Sequence, residues 1–409
     1  MTSDSSIKPV VVVGGGPVGI LNAVGLAKQG IPVTVLERNE GVVRAPRAMV
    51  YHWATLDGLE RMGVFADAAA AGFLKQDYCF LNWRTGERVR YGLSLIEGAV
   101  KHPYNLHLAQ DRLCDVVLDI IERESLPVDV RWGRSVIGLQ QYDDRAVVTA
   151  VNVEGVPERH DASWVIGADG AGSAVRRLAG LTFEGFTWPE RFVATDVHYP
   201  FEEEGYDQST FVVDEVFGAI IVKINNDNGS GLWRYTYSDP LAEDRESAAA
   251  RMGRFFDTVL PREADRELVA YNPYKMHQRC AITFRMNRVL LAGDAAHATN
   301  PTGGLGLTGG LFDTYLLVVS LADVIHGRQH DWVLDRYAHE RRRVFKELVS
   351  PTASANKRFI FGSTETAAGG EAWARVQRLG QDPEAARAQL MFTQQLETPA
   401  IVGQGDGDD

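Results

Sequence analysis

The spacing of apolar residues changes twice within the first forty positions. Residues 10–13 (VVVV) carry no polar break, residues 18–29 repeat apolar positions at helical intervals, and residues 31–36 (IPVTVL) are β-branched and run into Glu37. An unbroken apolar run reads as a buried strand, so the pattern predicts a β-α-β unit over residues 8–37. A loop through Arg44, Pro46 and Arg47 follows, and residues 53–63 (WATLDGLERMG) have the spacing of a helix closed by Gly63.

Alternation takes over further along. Residues 80–91 read as a hairpin around Thr85 and Gly86, residues 107–108 as a strand end, and 111–124 as a helix. Residues 128–132, 135–142 and 146–153 predict short antiparallel strands, and 164–166 lead into a glycine-rich turn. From about Arg191 the strands become rich in Phe, Tyr and Trp (192–199, 210–213, 219–224 and 232–237), with a helix over 245–259. Residues 289–291 return to a buried strand, and 331–362 are helical and strongly charged. The expected organisation is a first unit at 1–190 that includes a small antiparallel sheet (78–108 and 128–160). An inserted sheet unit at 191–285, a return to the first unit at 286–345 and C-terminal helices at 346–402 follow. The polar end at 403–409 (GQGDGDD) reads as a disordered tail.

Composition narrows the class. The 409 residues are 45% hydrophobic and 23% charged, enough apolar mass for two or three lobes. A formal charge of −12 argues against nucleic acid or an anionic membrane as partner, since both need a basic face. The N-terminal MTSDSSIKP has no apolar signal core, and the most apolar helical stretch, 311–325, carries Asp313 and Asp323. Neither export nor a membrane span is expected. Cys79, Cys114 and Cys280 are isolated, and His326 and His330 lack a third ligand, so the expectation is a cytoplasmic protein with no metal site.

Three short motifs carry the chemistry: 14–19 (GGGPVG), 167–176 (GADGAGSAVR) and 291–310 (LAGDAAHATNPTGGLGLTGG). Each consists of small residues, two of them punctuated by one acid, as suits a backbone brought close to a phosphate or a ring. Gly14, Gly16 and Gly19 follow a strand and open a helix, the context in which GxGxxG binds a dinucleotide pyrophosphate at a helix N-terminus. Glu37, at the end of the next strand, suits ribose hydroxyls. This first motif alone does not choose between NAD and FAD.

The second and third motifs, with Asp169–Gly170 and Gly293–Asp294, resemble the DG and GD motifs of the FAD-dependent aromatic hydroxylases, the single-component monooxygenases of the para-hydroxybenzoate hydroxylase type. The resemblance spans most of residues 8–345. It implies an α/β (α+β) fold: a Rossmann-like FAD-binding domain with an inserted mixed-sheet substrate domain. It implies that Gly14, Gly16, Pro17, Val18, Gly19, Glu37 and Arg38 hold the ADP half of FAD. Arg47 and Gln110 match positions near the flavin phosphates, Asp169 and Gly170 serve FAD and the nicotinamide, and Gly293 and Asp294 hold the ribityl chain. Gly304, Gly306 and Leu307 open a helix whose amides face the flavin pyrimidine edge, and the carbonyl of Pro301 lies by the substrate hydroxyl. Where the family often has Gln and Asn in this last loop, the chain has Leu305 and Thr308. Backbone amides are therefore expected to make the ring contacts.

The activity so implied is hydroxylation of an electron-rich aromatic or heteroaromatic ring by NAD(P)H and O2 through a flavin C4a-hydroperoxide, in a monomer or homodimer. NADH or NADPH would dock transiently, as no second dinucleotide fingerprint follows. Helpers for the substrate hydroxyl are Pro301, His52, His198, Tyr235 and Tyr237, the last two sharing one face of a strand by alternation. An antibiotic, quinolone or polycyclic substrate is the alternative within this chemistry, and a non-catalytic FAD-fold binding protein the alternative outside it. Arg191, Lys223 and Arg234 are the inserted unit's candidate charges for a carboxylated ring. His297 is expected to pack, and Arg341–Arg343 to form a solvated helix face.

Overall fold

A computed structural model describes residues 8–225, 231–241 and 248–400. Val10–Val13 is buried on both faces and pairs in parallel with Val33–Leu36 on one side and Trp164–Gly167 on the other. Val289–Leu291 and Val128–Arg131 extend this sheet to five parallel strands, and Arg285–Met286 adds an antiparallel sixth. Residues 128–131 are thus a parallel edge strand, where the sequence predicted an antiparallel one. Their alternation reflects one exposed face at the sheet edge. The antiparallel sheet beside it has three strands, Ser135–Gln141, Ala146–Val151 and Pro157–Ala162.

The helix Pro17–Lys28 packs on the sheet through Gly19, where a Cβ would stand 1.9 Å from the carbonyl oxygen of Gly14. Against it lies Leu305–Ile325, tied by Asn22 Nδ2 donating to Thr314 Oγ1 at 3.0 Å. This helix is long and apolar enough to cross a membrane, but 83% of its apolar window is buried inside the fold, as befits a core helix.

The second sheet has eight strands. Its centre is Phe183–His198, paired with Leu232–Pro240 and Glu267–Ala281. It begins at residue 183, earlier than the expected 191. The strand Glu267–Ala281 escaped the sequence reading because Pro273 interrupts it. Pro273 pairs with Val193 on one side, and on the other the partner strand His297–Ala298 reaches only Arg279 and Cys280, so the proline sits where that strand has one free edge, a place where proline is tolerated. Asp77–Asn82 pairs in parallel with Ser209–Val213, and Arg88–Gly92 follows it. The hairpin therefore extends the second sheet and does not join residues 128–160 in a small sheet of the first unit. Residues 105–107 pair instead with Val50–Tyr51 and Phe73–Lys75.

The outer face of the eight-stranded sheet is covered by the helix Ala248–Val259, whose Phe255 and Phe256 meet Tyr235 and Tyr237. C-terminal helices Ala367–Gln381 and Pro383–Met391 close the fold. The tail expected at 403–409 lies outside the described residues.

Candidate active site

Val13 pairs with Gly167, and Gly167 with Leu291, so the three small-residue motifs leave adjacent parallel strands at one level. Turns at the carboxyl ends of such strands are where open α/β sheets bind ligands. A cavity of about 810 Å³ runs from these turns to the inner face of the eight-stranded sheet.

At one end of it stand Gly14, Gly16, Pro17, Val18, Glu37 and Arg38. Gly16 caps the helix Pro17–Lys28, whose first amides have no intrahelical partner and present positive ends to an anion. Glu37 is held in place, its Oε2 accepting from Gly15 N at 2.6 Å and its Oε1 from Asn39 N at 2.9 Å. Gly19 does not line the cavity; it sits behind, where it lets helix and strand approach.

Midway are Asp169, Gly170, Gly293, Asp294, Arg47 and Gln110. Asp169 Oδ2 accepts from Ala174 N at 2.6 Å and Val175 N at 3.1 Å, the first two amides of the short helix Ala174–Leu178, whose N-cap is Ser173. Its Oδ1 is buried with no partner. Asp294 is exposed to the cavity, yet desolvation by the surrounding wall raises its carboxyl above its ordinary range, against the pull of His297, Arg47 and His277.

The far end brings together His52, Pro301, Gly304, Gly306 and Leu307 with Ile220, Val222, Arg234, Thr236 and Tyr274 of the sheet. Gly304 has φ +68 and caps the helix Leu305–Ile325. Leu305 and Thr308 turn into the core, Thr308 Oγ1 donating to Gly304 O at 3.0 Å. Arg234 is neutralised: Nε and Nη2 meet Asp196 Oδ1 and Oδ2 at 2.7 and 2.8 Å, and Nη1 donates to the carbonyl of Arg47. Arg191 pairs with Asp239 and Lys223 with Glu202.

Three expected helpers are elsewhere. Tyr235 and Tyr237 do share a face, but it is the outer one: Tyr235 packs on Phe256 and Tyr237 stacks on Phe255 at 4.3 Å. Alternation then gives Arg234 and Thr236 to the cavity. His198 is at the strand end, its Nδ1 2.9 Å from the carbonyl oxygen of Gly231.

The structure brings together two groups of residues whose association the sequence did not reveal. Beneath the Gly293–Asp294 turn, Asp313 accepts from Gly293 N at 2.9 Å and His297 Nε2 at 2.6 Å through Oδ2, and from Arg341 Nε at 2.8 Å through Oδ1. Arg341 is 1% exposed, so the first residue of the basic run is not on a solvated face. An acid in the middle of an apolar helix, away from its ends, was the available signal. The second group, Arg176, Arg177, Arg279 and His277, lines a separate cavity of about 340 Å³ beside the Asp169 turn. Their guanidinium hydrogen bonds go to the carbonyls of Ala171, Gly172, Phe183 and Ala295. Among the described residues these arginines form no ion pair with a carboxylate.

One potential metal cluster occurs among the described residues, Asp57, Glu60 and His102, with ligand atoms within 4.8 Å of one another. The ammonium of Lys101, 2.7 Å from Glu60 Oε2, already supplies a cation there.

A parallel sheet with three aligned small-residue turns, facing a second sheet across one elongated cavity, defines the FAD-dependent aromatic hydroxylase architecture. The family model described as "FAD binding domain" matches residues 8–352. The chain is 41% identical over 392 residues to 6-hydroxy-3-succinoylpyridine 3-monooxygenase of Pseudomonas putida, covering 95% of this chain and 98% of that one. It is also 41% identical over 350 residues to para-nitrophenol 4-monooxygenase of a Pseudomonas species, covering 85% and 86%. The crystal structure of p-nitrophenol 4-monooxygenase from Pseudomonas putida superposes with a TM-score of 0.90 at 38% identity, covering 97% of this chain and 99% of that one. The chain belongs to the FAD-binding monooxygenase family and is an FAD-dependent aromatic monooxygenase. Catalytic relatives at this identity leave the non-catalytic alternative without support.

The residues present fit the cofactor. The orphaned Asp169 Oδ1, the Asp294 carboxylate exposed to the cavity and the open space beside Gly16 all belong to residues lining the 810 Å³ cavity, and each lacks what a bound dinucleotide supplies.

Proposed function

We propose that this monooxygenase acts on a phenol or hydroxypyridine and oxygenates the ring carbon opposite the hydroxyl, with O2 and NAD(P)H as co-substrates. The observation that carries the ring class is the neutralised Arg234: the inner sheet face offers Ile220, Val222, Thr236 and Tyr274 beside a guanidinium already committed to Asp196. A ring without a carboxylate at that face suits such a wall. The position of attack is taken from the two relatives at 41% identity, whose names put oxygen at position 3 of a 6-hydroxypyridine and position 4 of a phenol. Both positions lie across the ring from the hydroxyl and already carry a substituent.

In this reading FAD supplies the activation of O2, and the chain binds, orients and shields. Gly14, Gly16, Pro17, Val18, Glu37 and Arg38 hold its ADP half, Arg47, Gln110 and Asp169 its middle, and Gly293 and Asp294 its ribityl chain. The amides at Gly304, Gly306 and Leu307 face the ring, where a helix N-terminus stabilises negative charge. Pro301 stands at the substrate end. NAD(P)H docks through its phosphates at Arg177 and Arg279, cations without carboxylate partners among the described residues, in a chain of charge −12. The isolated buried thiols Cys79, Cys114 and Cys280 suit a reducing, cytoplasmic setting.

The test is anaerobic reduction of the flavin by NADH and by NADPH, with and without 4-substituted phenols and hydroxypyridines. Acceleration by one of these classes is the expected result. Acceleration only by benzoates or by polycyclic phenols would overturn the substrate assignment. Arg279→Ala is expected to raise the NAD(P)H concentration for half-maximal reduction about tenfold or more, as for a lost charge-assisted contact, with FAD content unchanged.

A further inference from the structure

His52 stands directly before the helix Trp53–Arg61, and its ring lines the cavity at 9% exposure. Its backbone is fixed from both sides. The His52 carbonyl accepts from Thr55 N at 2.8 Å and Thr55 Oγ1 at 2.7 Å, and the following amide, Trp53 N, donates to Asn105 Oδ1 at 2.9 Å.

The ring itself is held by one nitrogen. Nε2 lies 2.8 Å from the carbonyl oxygen of Gly303. A carbonyl only accepts, so Nε2 carries the hydrogen, and a neutral imidazole then keeps its lone pair on Nδ1. Among the described residues Nδ1 has no hydrogen-bond partner, and the ring that carries it lines the cavity. Gly304 makes room for the same edge of the ring, since a Cβ there would stand 2.9 Å from Nε2. The geometry therefore presents one proton acceptor of fixed tautomer to the substrate end, two residues from Pro301 through the Gly303 contact.

The surroundings keep that acceptor neutral. Burial lowers the His52 imidazole below its ordinary value, and the Gly303 carbonyl offsets this in part. His107, on the neighbouring strand Asn105–His107, is the titratable group coupled to it, and burial lowers it in turn to about 4.

We propose, on the phenol-oxygenating reading above, that His52 Nδ1 takes the proton of the substrate's ring hydroxyl while the Gly303 carbonyl holds the imidazole tautomer. The O–H bond breaks, the proton goes to Nδ1, and the electron pair stays on the ring oxygen. The products of this step are an imidazolium and a phenolate side by side, with no change in oxidation state. The ring becomes richer in electrons at the carbon opposite the oxygen, the carbon to be oxygenated.

The test uses 4-nitrophenol bound to the oxidised holoenzyme, read by the visible absorbance that the phenolate has and the phenol lacks. At a pH below the point where free 4-nitrophenol ionises, the wild type is expected to show the phenolate band. His52→Gln keeps an N–H for the Gly303 carbonyl but takes no proton; it is expected to bind the phenol form and turn over about a hundredfold slower. An unchanged band in His52→Gln overturns the proposal. Should that variant lose its flavin, His52→Asn repeats the comparison. A second measurement needs no substrate: in holoenzyme labelled with 15N-histidine, the resonances removed by substitution at His52 are expected to show a protonated Nε2 and a bare Nδ1. A protonated Nδ1 overturns the proposal. If the wild type does not bind 4-nitrophenol, the substrate reading has failed, and the nitrogen resonances alone decide the role of His52.

Discussion

Asp313 Oδ2 lies 2.6 Å from His297 Nε2, with both side chains wholly inside the fold beneath the turn that carries Asp294. The same oxygen accepts from Gly293 N, and the other from Arg341 Nε, so one carboxylate fixes the backbone of the turn and compensates a buried guanidinium.

Asp313→Ala removes that compensation. Breaking a buried pair by deleting one partner costs about 3–5 kcal/mol, mostly from the charge left behind, here that of Arg341. Urea unfolding should show a loss of this size, and the flavin content of the purified variant should fall because the Gly293 amide loses its acceptor. The pH dependence has a definite sign. Burial raises the Asp313 carboxyl, but His297 and Arg341 outweigh it and hold the group at about 2. Its stabilisation is therefore present above the ordinary carboxylate value, about 4, and lost as pH falls through the folded value. A variant as stable and as flavin-loaded as the wild type would show that the turn does not depend on this network.

Asp294→Ala tests the cofactor end of the same turn. The carboxyl is exposed on the cavity wall, where its partly desolvated surroundings raise it above its ordinary range, as expected of an acceptor waiting for hydroxyl donors. Losing one charge-assisted hydrogen bond of about 1.5–3 kcal/mol weakens FAD about 10- to 100-fold. Titration of apoprotein with FAD, followed by flavin fluorescence, measures this directly. Wild-type affinity would remove Asp294 from the cofactor site.

These two acids differ in how visible they were in the sequence. Asp294 lies in a turn of small residues after an apolar strand, a local pattern with a local reason. Asp313 lies in a helix, and its meaning depends on Gly293, His297 and Arg341, the last 28 residues further on. The β-α-β unit and the three motifs were legible because each is fixed by neighbours in the chain. The membership of Asp77–Asn82 in the second sheet was not, because a parallel pairing with Ser209–Val213 leaves no local trace. Alternation placed Tyr235 and Tyr237 together, but which face met the cavity was decided by the helix Ala248–Val259 covering the other.

Acid stability should respond to histidine before it responds to carboxylates. Burial lowers both His107 and His52, His107 from 6.5 to about 4. The unfolded chain binds these protons first, so stability is complete above the unfolded value and declines as pH falls towards the folded one. Each such histidine contributes a slope of about 1.4 kcal/mol per pH unit at most. Urea unfolding at pH 7 and pH 5 should show the decline, and His107→Gln should reduce it. An identical pH dependence in that variant would mean that His107 is protonated in the folded protein.

Tyr235→Phe separates the outer face of the sheet from the cavity. The Tyr235 side chain is wholly buried among Phe201, Phe255 and Phe256, and its hydroxyl has no partner among the described residues. An unsatisfied buried hydroxyl costs about 1–3 kcal/mol, so replacing it with hydrogen should leave stability unchanged or raise it by up to that amount. Turnover should be unaffected, because the residue's ring lies across the sheet from Arg234 and Thr236, which line the cavity. Unfolding curves and steady-state rates, measured on the same preparations, decide the matter. A tenfold loss of turnover with unchanged stability would place the Tyr235 hydroxyl at the reacting ring, and would require the inner and outer faces of this strand to be exchanged.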